Sequence, residues 1–234
     1  QQGSVGGTLD ASSNGTISEV SACGSISGPI TAYGNITNIL ADAGNLSAAL
    51  TSSNGNIVEV YAAGNITGNI TASGNTTGTG NIACVTAGVD ISGNLSAANG
   101  TISNLKAGLD LTGTLGGLTL ATLNINRDIA NGSLTFGTIG GITAGRDIGN
   151  ETIHANGTPT TGNTTLGEIA SVSAGRNISG NITSDHGSIS SITAGCNTAW
   201  LDEDTAAWNI SNLPLSGYNG VGDVTYYAMP GPTA

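Results

Sequence analysis

Residues 20–29 read VSACGSISGP, residues 30–39 ITAYGNITNI, residues 40–49 LADAGNLSAA, and residues 60–79 VYAAGNITGN followed by ITASGNTTGT. The phrase resumes at 85 as VTAGVDISGN and at 172 as VSAGRNISGN. A short fixed period marks a solenoid, in which each repeat buries its apolar face only against its neighbours. Within Val20-Ser21-Ala22-Cys23-Gly24-Ser25-Ile26 the apolar or small residues fall at the first, third, fifth and seventh places. That alternation predicts an extended strand with one buried face. The S-G-N, S-G-P or T-G-N that follows supplies turn chemistry. Helix is disfavoured, because Thr, Ser, Gly, Asn and Ile dominate and no apolar stripe of period 3.6 runs through them.

Two versions of the phrase alternate. One starts at Val20, Leu40, Val60, Val85, Leu105, Leu123, Ile142, Val172 and Ile192. The other starts at Leu9, Ile30, Leu50, Ile70, Leu95, Ile153 and Ile182. Four of the second set carry an extra residue and a turn dipeptide: Asn14-Gly15, Asn54-Gly55, Asn99-Gly100 and His186-Gly187. The extra residue reads as a bulge or corner. One coil is then two phrases, about 20 residues. Nine coils at the strand spacing of about 4.8 Å make a rod on the order of 43 Å long. The parallel connection is expected to be right-handed. The fold expected is an all-β, right-handed parallel β-helix over residues 1–198, followed by a C-terminal segment, 199–234. Two insertions, at 76–84 and 154–167, break the period, and insertions in solenoids map to loops on one face.

Composition narrows the function. The chain has 234 residues, of which 38 are glycine, and a net charge of −11 from 15 acidic and four basic residues. No Gly-X-Y triplet runs through it, so collagen is excluded. Regular Ile, Leu and Val argue against disorder. The charge opposes nucleic acid, which needs clustered Lys and Arg to displace counterions, and anionic membrane surfaces. No apolar run reaches the roughly 18–20 residues of a membrane span. The chain opens Gln-Gln, which reads as a mature form whose export signal has been removed.

The phrase Ile142-Thr143-Ala144-Gly145-Arg146-Asp147-Ile148-Gly149 resembles the "ITAGRDIG" style of repeat in large secreted proteins of planctomycetes and related bacteria. More broadly, the pattern over residues 9–198 is similar to the β-helical repeats of filamentous-haemagglutinin-like and autotransporter-type bacterial surface proteins. The resemblance implies an exported, extracellular or cell-surface protein and carries no catalytic signature.

Candidate sites follow from the places where the repeat holds polar residues or fails. The sixth place of the first phrase holds Ser25, Asn45, Asn65, Asp90, Asp110, Asp128, Asp147, Asn177 and Asn197. Stacked amides suit coil-to-coil hydrogen bonds. The four carboxylates form either a solvated ladder partly balanced by Arg127 and Arg146 or a Ca²⁺ row. The second is disfavoured because calcium takes six to eight oxygens and one carboxylate per coil supplies too few. No cofactor or other metal is expected. Fifteen Asn-X-Ser/Thr sequons occur, among them Asn35, Asn45, Asn65 and Asn177. The repeat itself generates them, and glycosylation is the alternative reading. Outward Thr and Ser also suit carbohydrate contact or ordered water, although the mixture of types speaks against an ice-binding surface.

Cys23, Cys84 and Cys196 read as small residues in Ala/Ser slots, with intermolecular linkage or modification as the alternative. Residues 199–234 hold Trp200, Trp208, Tyr218, Tyr226 and Tyr227 and three of the five prolines. They read as a cap on the last coil or as a segment that couples one subunit to the next, with Val224, Tyr226 and Tyr227 in a stretch suited to adding a strand to a neighbour's edge. His154 and His186 lack a nucleophile motif or metal-ligand spacing nearby, and Asp202-Glu203-Asp204 reads as a solvated charge run. The expected function is therefore non-enzymatic: a structural subunit of an extracellular filament or surface layer, stacking head to tail with copies of itself. A surface adhesin or carbohydrate-binding module that contacts surface glycans through the 154–167 insertion is the second reading. An exported polysaccharide-degrading enzyme is the third.

Overall fold

In the computed structural model the described residues are 3–75, 79–130, 132–149, 152–157, 167–195 and 225–228. They form a right-handed parallel β-solenoid of about nine turns with no helix. The strands are β1 (Leu9–Ala11), β2 (Ile17–Ala22), β3 (Ile30–Ala32), β4 (Ile36–Ala41), β5 (Leu50–Ser52), β6 (Ile57–Ala62), β7 (Ile70–Ala72), β8 (Ile82–Ala87) and β9 (Leu95–Ala107). They continue as β10 (Leu115–Ile125), β11 (Ile129–Ala130), β12 (Ser133–Ala144), β13 (Asp147–Gly149), β14 (Thr152–Ala155), β15 (Ile169–Ala174), β16 (Asn177–Ile178), β17 (Asn181–Ser184), β18 (Ser191–Ala194) and β19 (Thr225–Ala228).

Every strand pairing is parallel, and the registers resolve into four aliphatic ladders. The first runs Leu9, Ile30, Leu50, Ile70, Leu95, Leu115, Leu134, Ile153, Ile182. The second runs Ile17, Ile36, Ile57, Ile82, Ile102, Leu120, Ile139, Ile169, Ile189. The third runs Val20, Ile39, Val60, Val85, Leu105, Leu123, Ile142, Val172, Ile192. The fourth runs Val5, Ile26, Leu46, Ile66, Ile91, Leu111, Ile129, Ile148, Ile178. Nearly all these side chains are fully buried. Each contributes about 1.5–3 kcal/mol by leaving water.

Two details differ from the sequence reading. The register pairs Ile39, not Leu40, with Val20 and Val60, so Leu40 lies outward and half-buried. The corner Asp42-Ala43-Gly44 is one residue longer than its equivalents and hides this shift in the spacing. Leu115 and Leu134 are also rungs of the first ladder, in coils where the Ile-Thr-Ala signature is lost. There Gly117 and Phe136 occupy the Ala place on adjacent coils. Phe136 is fully buried, and a Cβ on Gly117 would come within 3.2 Å of its Cε1. The large residue is accommodated because the rung before it has no side chain.

Length variation is concentrated at one corner, between the first and second ladders. Leu115 and Leu120 are five positions apart there, Ile70 and Ile82 are twelve, and Ile153 and Ile169 are sixteen. From the second ladder to the third the step is three positions in all nine coils, as from Ile17 to Val20 or Ile189 to Ile192. At the two five-position corners the chain runs straight through, so β10 and β12 are long strands; β9 is also continuous, across a corner of seven positions.

Candidate functional site

Three regions carry polar or variable chemistry, and each is placed by the ladders beneath it. The first is the corner ahead of the fourth ladder, where the sixth-place residues stack. Each side-chain oxygen accepts from the backbone N–H of the next coil. Ser25 Oγ accepts from Asn45 N at 3.0 Å, Asn45 Oδ1 from Asn65 N at 2.8 Å, and Asn65 Oδ1 from Asp90 N at 3.0 Å. Asp90, Asp110, Asp128 and Asp147 then accept in turn from Asp110, Asp128, Asp147 and Asn177 at 3.0–3.2 Å. Two further corners repeat the device. Asn35, Asn56 and Asn81 accept at 2.8–2.9 Å ahead of the second ladder, and Asn69 and Asn94 at 2.9–3.0 Å ahead of the first.

Onto the carboxylate run are added three arginines. Arg127, Arg146 and Arg176 each reach back one coil and grip Asp110, Asp128 and Asp147 through both Nε and an Nη. The Nε contacts are 2.7, 2.9 and 3.0 Å. Such forked charge-assisted bonds are the strong ones. The Arg127 hydrogen bond holds the Asp110 carboxyl below the usual carboxylate range, against burial. At Asp147 burial pushes the carboxyl up, but Arg176 and the amide of Asn177 outweigh it and the group also lies low. The Arg146 guanidinium is raised by its bond to Asp128. Leu109 occupies the arginine's place above Asp90. Among the described residues no group of three or more His, Cys, Asp or Glu gathers in the manner of a metal site. The weak calcium candidates Asp90, Asp110, Asp128 and Asp147 form an axial row, and the last three face arginines.

The second region is the variable corner. The two insertions leave the frame there, four coils apart. Ile82 to Cys84 lie inside β8, and His154 and Ala155 lie inside β14, so the excursions are narrower than the sequence period suggests. One departs at Gly74 and returns at Gly80, both at positive φ (42° and 78°). A Cβ on Gly80 would lie 2.9 Å from Gly74 N. The other returns at Gly167 (φ 89°), where a Cβ would lie 3.1 Å from the carbonyl oxygen of Gly157. Both roots are pinched together, so the coils above and below keep their register. Residues 76–78 and 158–166 lie outside the described residues. Beside the second root, His154 Nε2 and Asp185 Oδ1 are 2.9 Å apart on adjacent coils. His186 is exposed at the same corner one coil later.

The same corner contains two buried hydroxyls that the sequence reading passed over. Ser52 and Ser184 take the Ala place ahead of Asn54-Gly55 and His186-Gly187. Ser52 Oγ donates to Gly34 O at 2.8 Å and accepts from Gly55 N at 3.1 Å. Ser184 Oγ donates to Gly167 O at 2.6 Å and accepts from Gly187 N at 3.0 Å. Ser-X-[Asn/His]-Gly was the available signal.

The third region is the pair of ends. Val5, Leu9, Ala11 and Ile17 in the first coil are only partly buried, and β1 and β2 each pair with one strand, β3 and β4. At the other end Ile178, Ile182 and Ile192 are fully buried, while Ile189 is partly buried. There β19 pairs parallel with β18 of the same chain, Ile192 opposite Tyr226 and Ala194 opposite Ala228. Trp200, Trp208, Tyr218 and Val224 lie outside the described residues.

The remaining candidates are dispersed. Asn35 and Asn45 are exposed, while Asn65 and Asn177 are half-buried; Asn177 donates its Nδ2 to Asp147 Oδ1 at 3.0 Å. Cys23 is exposed and free, Cys84 is half-buried and free, and Cys196 is outside the described residues. No described helix is long and apolar enough to cross a membrane. Comparisons of the chain with protein-family models, with curated proteins and with solved structures found no match.

Proposed function

We propose that this protein is a structural subunit of an extracellular filament or surface layer, polymerising head to tail by end-to-end stacking of solenoids. The observation that carries the reading is the continuity of four aliphatic ladders along the described coils, ending at one side in a partly exposed first rung. A stack of this kind adds a further coil with the chemistry it already uses inside. Contacts that join one end to the other do not close, and so generate fibres. Residues 199–234 are assigned to the junction, as the segment that meets the next copy. Electron microscopy of purified protein tests this: filaments are expected from the full chain, and folded, unpolymerised rods from a chain lacking 199–234. Filaments from the truncated chain would remove the coupling role.

A second reading, a surface adhesin or carbohydrate-binding module, is favoured by the exit of both insertions at one corner. A glycan-binding screen of the full chain, repeated after shortening 158–166, separates the two. Binding lost with the loop supports the adhesin. For the third reading, a polysaccharide-degrading enzyme, the described residues offer the His154–Asp185 pair as the acid–base candidate.

A further inference from the structure

The hydrogen-bonded ladders have a direction. In every sixth-place bond the acceptor side chain belongs to the earlier coil and the donor N–H to the later one, from Ser4 Oγ with Ser25 N through Asp147 Oδ1 with Asn177 N. The asparagine ladders at the other two corners run the same way. So do the arginines, which reach back to the carboxylate of the coil before. The start of the stack therefore offers N–H donors at the corner positions Ser4, Thr8 and Thr16. The later coils offer side-chain oxygens. Two starts brought face to face would oppose donor to donor at every corner, which leaves N–H groups enclosed by the contact without acceptors. A start brought onto an end matches donor to acceptor.

The end to be met is β19. It extends the third ladder by one rung, with Tyr226 after Ile192 and Ala228 in the Ala rank that runs from Ala22 to Ala194. Its sequence Thr-Tyr-Tyr-Ala parallels Glu19-Val20-Ser21-Ala22 of β2, which holds the same places on the first coil. Among the described residues β19 has one partner, β18, and β2 has one partner, β4. Each retains an unpaired edge of the kind that templates strand addition.

We infer that the contact between copies is the edge of β19 in one copy against the edge of β2 in the next, parallel, with Tyr226 opposite Val20, Tyr227 opposite Ser21 and Ala228 opposite Ala22. This rests on the filament reading and specifies its junction: a second copy of this chain, in one polarity and one register. The junction then adds a tenth rung, so each subunit advances by about ten strand spacings, on the order of 48 Å.

Disulfide trapping tests it. Neighbouring parallel strands place opposed Cα atoms within disulfide reach. In a background of Cys23→Ser, Cys84→Ser and Cys196→Ser, two proteins are made, one with Ser21→Cys and one with Tyr227→Cys, and are mixed and oxidised. A mixed dimer as the main product, together with a ladder of trimers and higher species from the double variant, is the expected result. A Ser21→Cys dimer in the unmixed sample would overturn the polarity. Filaments by microscopy with no mixed dimer, or mixed dimers formed equally with Thr225→Cys, would overturn the register and leave the filament reading standing. Neither filaments nor mixed dimers would overturn both.

Discussion

The two halves of the rod are built on the same ladders but are held together at the sixth-place corner by different chemistry. From Ser4 to Asn65 that corner is a row of hydroxyls and amides, each accepting one backbone N–H. From Asp110 to Asp147 it is a row of carboxylates, each also gripped by the arginine of the next coil. The ends differ too, with the first rung partly exposed and the last largely buried beside β19. Stacked carboxylates would repel one another. The arginines convert that repulsion into coil-to-coil bonds. The lesson is that a repeat keeps its shape through apolar burial, while the polar corner sets how each part of the rod responds to its surroundings.

The largest expected difference lies between the ends. Ile182→Ala removes a fully buried rung and is expected to cost about 2–5 kcal/mol in urea unfolding. Leu9→Ala, in the same ladder but partly exposed, is expected to cost about 1 kcal/mol or less, in proportion to the smaller apolar area it returns to water. Equal costs would show that the first coil is covered in solution, which would itself break the contrast. Next in size is Ser184→Ala. It leaves Gly187 N and Gly167 O without their partner in a buried place, for a loss of about 1–3 kcal/mol. The change Ala72→Ser, in the same rank at a corner without that dipeptide, should bring no gain.

Acid sharpens the comparison between halves. The Asp110 and Asp147 carboxyls lie below their ordinary value of 3.8 when folded. Their contribution is therefore present in full above that value and is lost as pH falls through the lower folded value. Amide exchange measured at stepwise lower pH is expected to rise first in the coils bearing Asp110 and Asp147, before the Ser25–Asn65 coils. Uniform onset along the rod would contradict an arginine-held half. The smallest effect is a gain. Leu109→Arg places a guanidinium one coil above Asp90 and is expected to add up to about 1 kcal/mol, the upper range for a partly exposed pair. High salt should diminish it.

The fold was legible because the Ile-X-Ala phrase recurs with strand alternation, and nine coils followed directly from its count. What escaped the sequence was what depends on vertical neighbours. Leu40 reads as a rung in the sequence because the long corner after Ala41 displaces the phrase by one. Leu115 and Leu134 went unseen because Gly117 and Phe136 replace the alanine that marks the phrase, and their complementarity exists only across coils. Sequence places Arg127 next to Asp128, and it lies 3.8 Å from that carboxylate. Its main partner is Asp110, 17 positions earlier, because parallel stacking puts the two places one strand spacing apart. For Arg176 the partner is 29 positions away, since the insertion intervenes without disturbing the frame. The insertions were visible as breaks in period. Their shared corner was not, because only the registers show that every other segment keeps nearly constant length.

Under the proposed function this rod stacks on copies of itself, start onto end. Cryo-electron microscopy of the purified full chain is the most direct test. Unbranched filaments of one polarity are expected, with a strand repeat of about 4.8 Å along the axis and a subunit rise on the order of 48 Å. Separate rods at every concentration, or copies joined start to start, would contradict it.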